Sequence, residues 1–221
     1  MSGERQCHPS HAYTPMSVGH KVTALVRDEA SLSSFATDDG SLKIVKGQPQ
    51  DHADMEKAFT AVPDDMPTVV IVTLNSARTS DNPFAKPVSP PTLMCDSHLA
   101  ALESMKKHGV RKIVTLQALG VGDSFSNLFW LVRLLVRYSN MSIGYKDHEK
   151  ADDAIKKSGL NYVLARPIRF VDGDSAPIKF FGDKGDGIGS FNKITRRSVA
   201  YFLLDAAEKS DWDGNTPVIS N

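Results

Sequence analysis

A doubly wound α/β fold, a parallel sheet with helices on both faces, is predicted by two features of this 221-residue chain. Short apolar runs alternate along it with stretches of helical period, and that alternation builds a parallel sheet. The runs are also apolar at successive positions rather than at every second one, the pattern of strands covered on both sides.

Taken in order, KVTALV (21–26), LKIV (42–45), PTVVIVTL (67–74), RKIVTL (111–116) and NYVLA (161–165) read as five strands, and TPVIS (216–220) as a weaker sixth. Between the second and third, Met55, Ala58, Phe59 and Val62 recur at i, i+3, i+4, i+7 behind Asp51, a suitable N-cap. Leu99, Leu102 and Met105 line a helix that Gly109 ends, because glycine accepts the left-handed conformation of a helix stop. Residues 147–158 form a further helix stopped by Gly159, and 195–209 a last one with Val199, Phe202, Leu203 and Ala206 inward. The stretch NLFWLVRLLVRY (127–138) is apolar nearly all round, so its helix needs cover on most faces. Core burial, a wall for a bulky substrate, an oligomer contact and a membrane-surface patch all satisfy that need.

Residues 75–91 and 166–194 break the alternation. Both follow carboxyl ends of strands, where open α/β sheets bind ligands, and loops of this length inside a compact domain are usually functional. The expected organisation is a flexible tail at 1–18 and one domain at 19–221 carrying these two insertions as a substrate lobe.

Composition narrows the function. Lys+Arg 26 against Asp+Glu 26 gives no net charge, against the basic excess a nucleic-acid binder needs. Two cysteines provide no disulfide framework, and no run is long and apolar enough to span a membrane. With no secretory leader recognisable at the N-terminus, a cytoplasmic location is expected. Cys7, His8 and His11 have loosely metal-like spacing but no fourth ligand nearby, and the glycines at 182–189 lack the strand-to-helix setting of a phosphate loop. No metal site is expected.

Five segments in a fixed order carry a family resemblance: GHKVTALVRD (19–28), VTLN (72–75), MKKHGVRKIVTLQALGVGDS (105–124), DHEKADDAIKKSGLNYVLARP (147–167) and ITRRSVAYFLLDAAE (194–208). Together they resemble the NmrA-like, atypical short-chain dehydrogenase/reductase family, above all its flavin/biliverdin reductase branch. The resemblance implies a Rossmann-like domain, NADP(H) and reduction of a small molecule. It also makes KVTALV the second strand of the fold. A first strand, glycine-rich turn and crossover helix fill most of a unit of roughly 30 residues, whereas 20 residues precede Lys21 and their only glycines are Gly3 and Gly19. The domain therefore reads as N-terminally shortened. The amides that hold the pyrophosphate at a helix N-terminus are missing from the sequence, which predicts weakened NADP(H) binding.

The resemblance and the strand ends together nominate the site. Arg27, where the fold meets the adenosine ribose, suits the 2′-phosphate of NADP; a surface arginine paired with Asp28 or Glu29 is the plainer alternative. Gln48 replaces the family's acidic adenine contact and is followed by Pro49, which has no backbone donor. Thr73, Leu74 and Asn75 stand where the family flanks the nicotinamide ribose. Gln117 occupies the end of the fourth strand, where the family carries a hydroxyl; its amide still donates. Tyr145 lacks the lysine one turn on that would lower its pKa, since Glu149 stands there. Asp147-His148 matches the reductase branch, and a histidine opening that helix is suited to proton transfer near neutrality. Arg166-Pro167 matches the family's RP pair, with Arg166 near the cofactor or acting as an anchor. The expected activity is an NAD(P)H-dependent oxidoreductase for a small planar or hydrophobic molecule, such as one of secondary metabolism. A cofactor-independent isomerase or cyclase using His148, Gln117 and Tyr145, and a non-catalytic dinucleotide sensor or regulator, are the alternatives.

Overall fold

The computed structural model describes residues 19–35, 39–63 and 65–221. The tail assigned to 1–18, with Cys7, His8 and His11, lies outside the described residues. The strands are β1 (Val22–Val26), β2 (Leu42–Lys46), β3 (Val69–Val72), β4 (Lys112–Leu116), β5 (Asn161–Pro167), β6 (Phe170–Val171), β7 (Lys179–Phe180), β8 (Ile194–Thr195) and β9 (Val218–Ser220). The helices are α1 (His52–Phe59), α2 (Leu93–His108), α3 (Trp130–Tyr138), α4 (Met141–Lys157) and α5 (Arg196–Glu208). Short 3₁₀ segments at Glu29–Phe35 and Gly122–Asn127 were not legible in the apolar pattern.

A five-stranded sheet runs in the order β3-β4-β5-β9-β7, parallel except for the antiparallel edge strand β7. Its faces are filled by different residues of the same strands. Ile113 and Leu164 point to one side, with Met55 and Phe59 of α1, Ala101 and Met105 of α2, and Ile155 of α4. Val114, Val163 and Ala165 point to the other, against Val199, Phe202 and Ala206 of α5. That is the packing that the unbroken apolar runs require.

The parallel pair β2-β1 forms a separate sheet. Among the described residues β1 pairs only with β2, and β3 only with β4. Both are therefore edges, and they show it: Thr23 and Ile71 are exposed, whereas the middle of β4 is buried. The strand runs were read correctly, but nothing in the described chain pairs between β1 and β3.

Two helix starts also move. Asp51 caps α1 as expected, accepting from Ala53 N at 2.8 Å and Asp54 N at 3.0 Å. The helix expected to open at Asp147-His148 instead begins at Met141, so both residues lie within it. The apolar stretch 127–138 is helical only from Trp130, where Trp130, Leu131, Leu134 and Tyr138 remain exposed rather than buried. The segment 166–194 is partly ordered by β6, β7 and β8.

Candidate active site

A cavity of about 150 Å³ lies where β3 and β4 end and α4 passes. Residues 75–78, 87 and 89–91 form one wall, Ala118 and Val121 another, and α4 the third. On α4 the lining residues Met141, Gly144, Tyr145 and His148 fall at i, i+3, i+4, i+7, one helical stripe.

The wall from 75 to 91 is a hairpin rather than a slack loop. Arg78 and Pro87 bridge antiparallel, Thr79 N donates to Lys86 O at 3.0 Å, and Val88 N to Ala77 O at 2.9 Å. Ala77 N also donates to the buried Ser89 Oγ at 2.9 Å. Asn140, just before α4, pins the hairpin by donating to Phe84 O at 2.8 Å and Ala85 O at 3.2 Å.

The opposite wall depends on Gly120, at φ 95°. A Cβ there would stand 2.4 Å from Leu128 Cδ1 and 3.0 Å from Tyr145 Cε1, so only glycine lets the loop close on the tyrosine ring. Tyr145 donates from its hydroxyl to Leu119 O at 3.3 Å. Burial raises its pKa, with the charge of Arg78 pulling the other way. It stays a neutral phenol at physiological pH.

His148 and Gln117 are brought together, with His148 Nδ1 donating to Gln117 Oε1. Burial, and then the neighbouring His98, lowers the His148 pKa to about 4. This corrects the expectation of a histidine titrating near neutrality: the ring is neutral there, with Nδ1 carrying the proton in this pairing and Nε2 left as an acceptor. Gln117 is buried, and its Nε2 has no partner among the described residues. His98 behind it is locked between Met94 O at 2.6 Å and Thr115 Oγ1 at 2.8 Å.

Asp147, one residue away, has a different task. It accepts from Met94 N at 2.7 Å and Cys95 N at 3.1 Å, capping α2, whose own N-cap Thr92 makes no side-chain cap. Burial still pushes its carboxyl up against the pull of those amides.

Of the residues nominated toward the cofactor, Asn75 lines the cavity, while Thr73 is exposed and Leu74 half-buried just before it. Arg27 is exposed at the carboxyl end of β1, and Gln48 is exposed after β2 with its N–H donating to Asp54 Oδ2 at 2.9 Å. Arg166 is not brought to the cavity. Fully buried, it donates to Asp123 at 2.6 Å, Asp152 at 3.0 Å and Asp183 O at 2.9 Å. None of the segment 166–194, expected as part of a substrate lobe, lines the cavity. Sequence reasoning passed over Ser76, Arg78 and Asn140. The one available signal was a lone arginine in a Pro/Ser/Asn-rich segment already marked as functional.

The profile of the NAD(P)H-binding family matches residues 15–210, and the chain belongs to that family. No match was found among curated proteins. Among solved structures the chain is similar to ChuY, an anaerobillin reductase from Escherichia coli O157:H7, at 16% identity and a TM-score of 0.69 over 93% of this chain and 87% of that one. It is similar to a Rossmann-fold NAD(P)-binding family protein from Shigella flexneri, at 19% identity and a TM-score of 0.59 over 89% and 78%. A short-chain dehydrogenase/reductase from Veillonella parvula in complex with NADP matches at 12% identity and a TM-score of 0.60 over 86% and 79%. These likenesses show a Rossmann-like fold. No helix among the described residues is long and apolar enough to cross a membrane.

Proposed function

We propose, starting from membership of the NAD(P)H-binding family, that this protein is an NADP(H)-dependent oxidoreductase whose acceptor is a small planar or hydrophobic molecule. The observation that carries the reading is the single cavity joining Asn75, Ala118, Tyr145 and His148 from three different elements. Convergence of strand ends and a helix stripe on one apolar-walled crevice is where this fold class does chemistry.

The residues fit the two ends of the dinucleotide. Arg27 offers an exposed guanidinium at the end of β1 for a ribose phosphate, and Asn75 faces the cavity from the end of β3. Among the described residues no glycine-rich turn lies between the edges of β1 and β3, which supports weak binding of the pyrophosphate. Three charge-assisted amide–phosphate bonds at about 1.5–3 kcal/mol each are at stake. When bound, the cofactor supplies a hydride. The protein holds the acceptor against Tyr145, whose neutral hydroxyl donates toward a developing oxyanion. His148, fixed by Gln117, presents Nε2 as an acceptor and keeps the crevice uncharged.

Nicotinamide absorbance, followed while NADPH and a planar acceptor such as a naphthoquinone or a free flavin are mixed with the protein, tests this reading. Enzyme-dependent consumption of NADPH is expected. Its absence with every acceptor tried, at NADPH concentrations that calorimetry shows to saturate the protein, rules the reading out.

A further inference from the structure

Among the side chains lining the cavity, Arg78 is the only arginine or lysine and Asp147 the only carboxylate. Both oxygens of Asp147 are committed to the α2 amides at 2.7 and 3.1 Å. Arg78 has no such partner. Its Nη1 is buried with nothing to donate to among the described residues, and the same is true of Ser76 Oγ two residues earlier. The hairpin ladder and Asn140 hold the backbone that carries Arg78 in place beside the cavity.

A buried guanidinium nitrogen without an acceptor costs free energy that folding alone does not return. Such groups in a native structure await an explanation, and a ligand is one. A guanidinium fork and a hydroxyl lining the same cavity are matched in charge to a planar oxyanion, a carboxylate above all, and a phosphate oxygen offers the same chemistry. We propose that Arg78, with Ser76, is an oxyanion site in the cavity wall, taking an acidic group of the substrate or a phosphate of the cofactor. The site rests on the proposed function only for the naming of those two sources. A carboxylate seated there lies next to Tyr145, whose phenol already feels the charge of Arg78.

Three probes separate the sources by calorimetry: 2-naphthoate, its neutral counterpart 2-naphthamide, and NADPH, each against wild type, Arg78→Met and Arg78→Lys. One charge-assisted pair predicts that wild type prefers 2-naphthoate over 2-naphthamide by about 10- to 100-fold. Arg78→Met is expected to erase that preference and Arg78→Lys to keep part of it, with the thermal midpoint of Arg78→Met equal to or above that of wild type. If the naphthoate preference is absent and Arg78→Met instead weakens NADPH by a similar factor, the oxyanion is the cofactor's phosphate. Equal behaviour of wild type and both variants toward all three probes overturns the site. The naphthoate measurement needs no turnover, so failure of the oxidoreductase reading leaves it intact.

Discussion

Arg166 and Arg78 occupy opposite conditions in the same molecule. Arg166, a residue of β5, is fully buried and donates to two carboxylates and a carbonyl, with only Nε left without an acceptor among the described residues. Arg78, in the cavity wall, has a buried Nη1 with no acceptor and no ion-pair partner among the described residues. A buried charge paired with carboxylates serves the fold, even with one nitrogen left over. An unpaired one costs stability where it stands and becomes useful when something else supplies the acceptor. The region around Arg166 thus serves the fold, and the region around Arg78, Tyr145 and His148 is the one proposed to bind.

The strongest way to break that contrast is Arg166→Met, which strands Asp152 and Asp123 without their partner. A loss of about 3–5 kcal/mol in urea unfolding is expected, and a loss below about 1 kcal/mol would mean that the network is not the anchor described. Next is pH. The folded value of His148, about 4, lies below its ordinary unfolded value near 6.5, so the unfolded chain binds the extra proton. Its contribution is complete above roughly pH 6.5, falls as pH drops, and levels off below about 4, removing up to about 3 kcal/mol. The difference in stability between wild type and His148→Asn, followed from pH 7 to 4, isolates that share. A difference flat across the range would place the ring in a more solvated setting.

Asp147→Ala removes the only side-chain cap on α2 and is expected to cost about 1–2 kcal/mol in the same unfolding experiment; no loss would mean that water replaces the carboxylate at those amides. Arg27→Asp stands at the other extreme. Stability should change by less than about 0.5 kcal/mol, while the NADPH-over-NADH preference falls roughly 10- to 100-fold by calorimetry. An unaltered preference leaves Arg27 a surface residue.

The two regions were unequally legible in the sequence. The alternating segments and the turn glycines at 109 and 159 fixed the strands and helix stops, since those follow from local patterning. The start of α4 was not legible, because Asp147 looks like a helix-opening acid while its carboxylate actually serves α2, 52 and 53 residues away in sequence. The depressed His148 pKa was likewise invisible, since it depends on burial and on His98, which long-range folding brings near. Asn75, Tyr145 and His148 were nominated and do share the cavity. Arg78 was not, because an unpaired buried nitrogen is a property of the folded wall and leaves no mark on composition or spacing.

Tyr145 offers the most direct test of the binding region's proposed chemistry, since it lines the cavity and remains a neutral phenol. Tyr145→Phe keeps the ring against Gly120 and deletes only the hydroxyl. With NADPH saturating and a planar acceptor that wild type reduces, turnover measured by nicotinamide absorbance is expected to fall by about 10²–10⁴-fold, with NADPH affinity unchanged. Turnover equal to wild type would contradict the assignment of the proton to Tyr145 and move the chemistry out of this cavity.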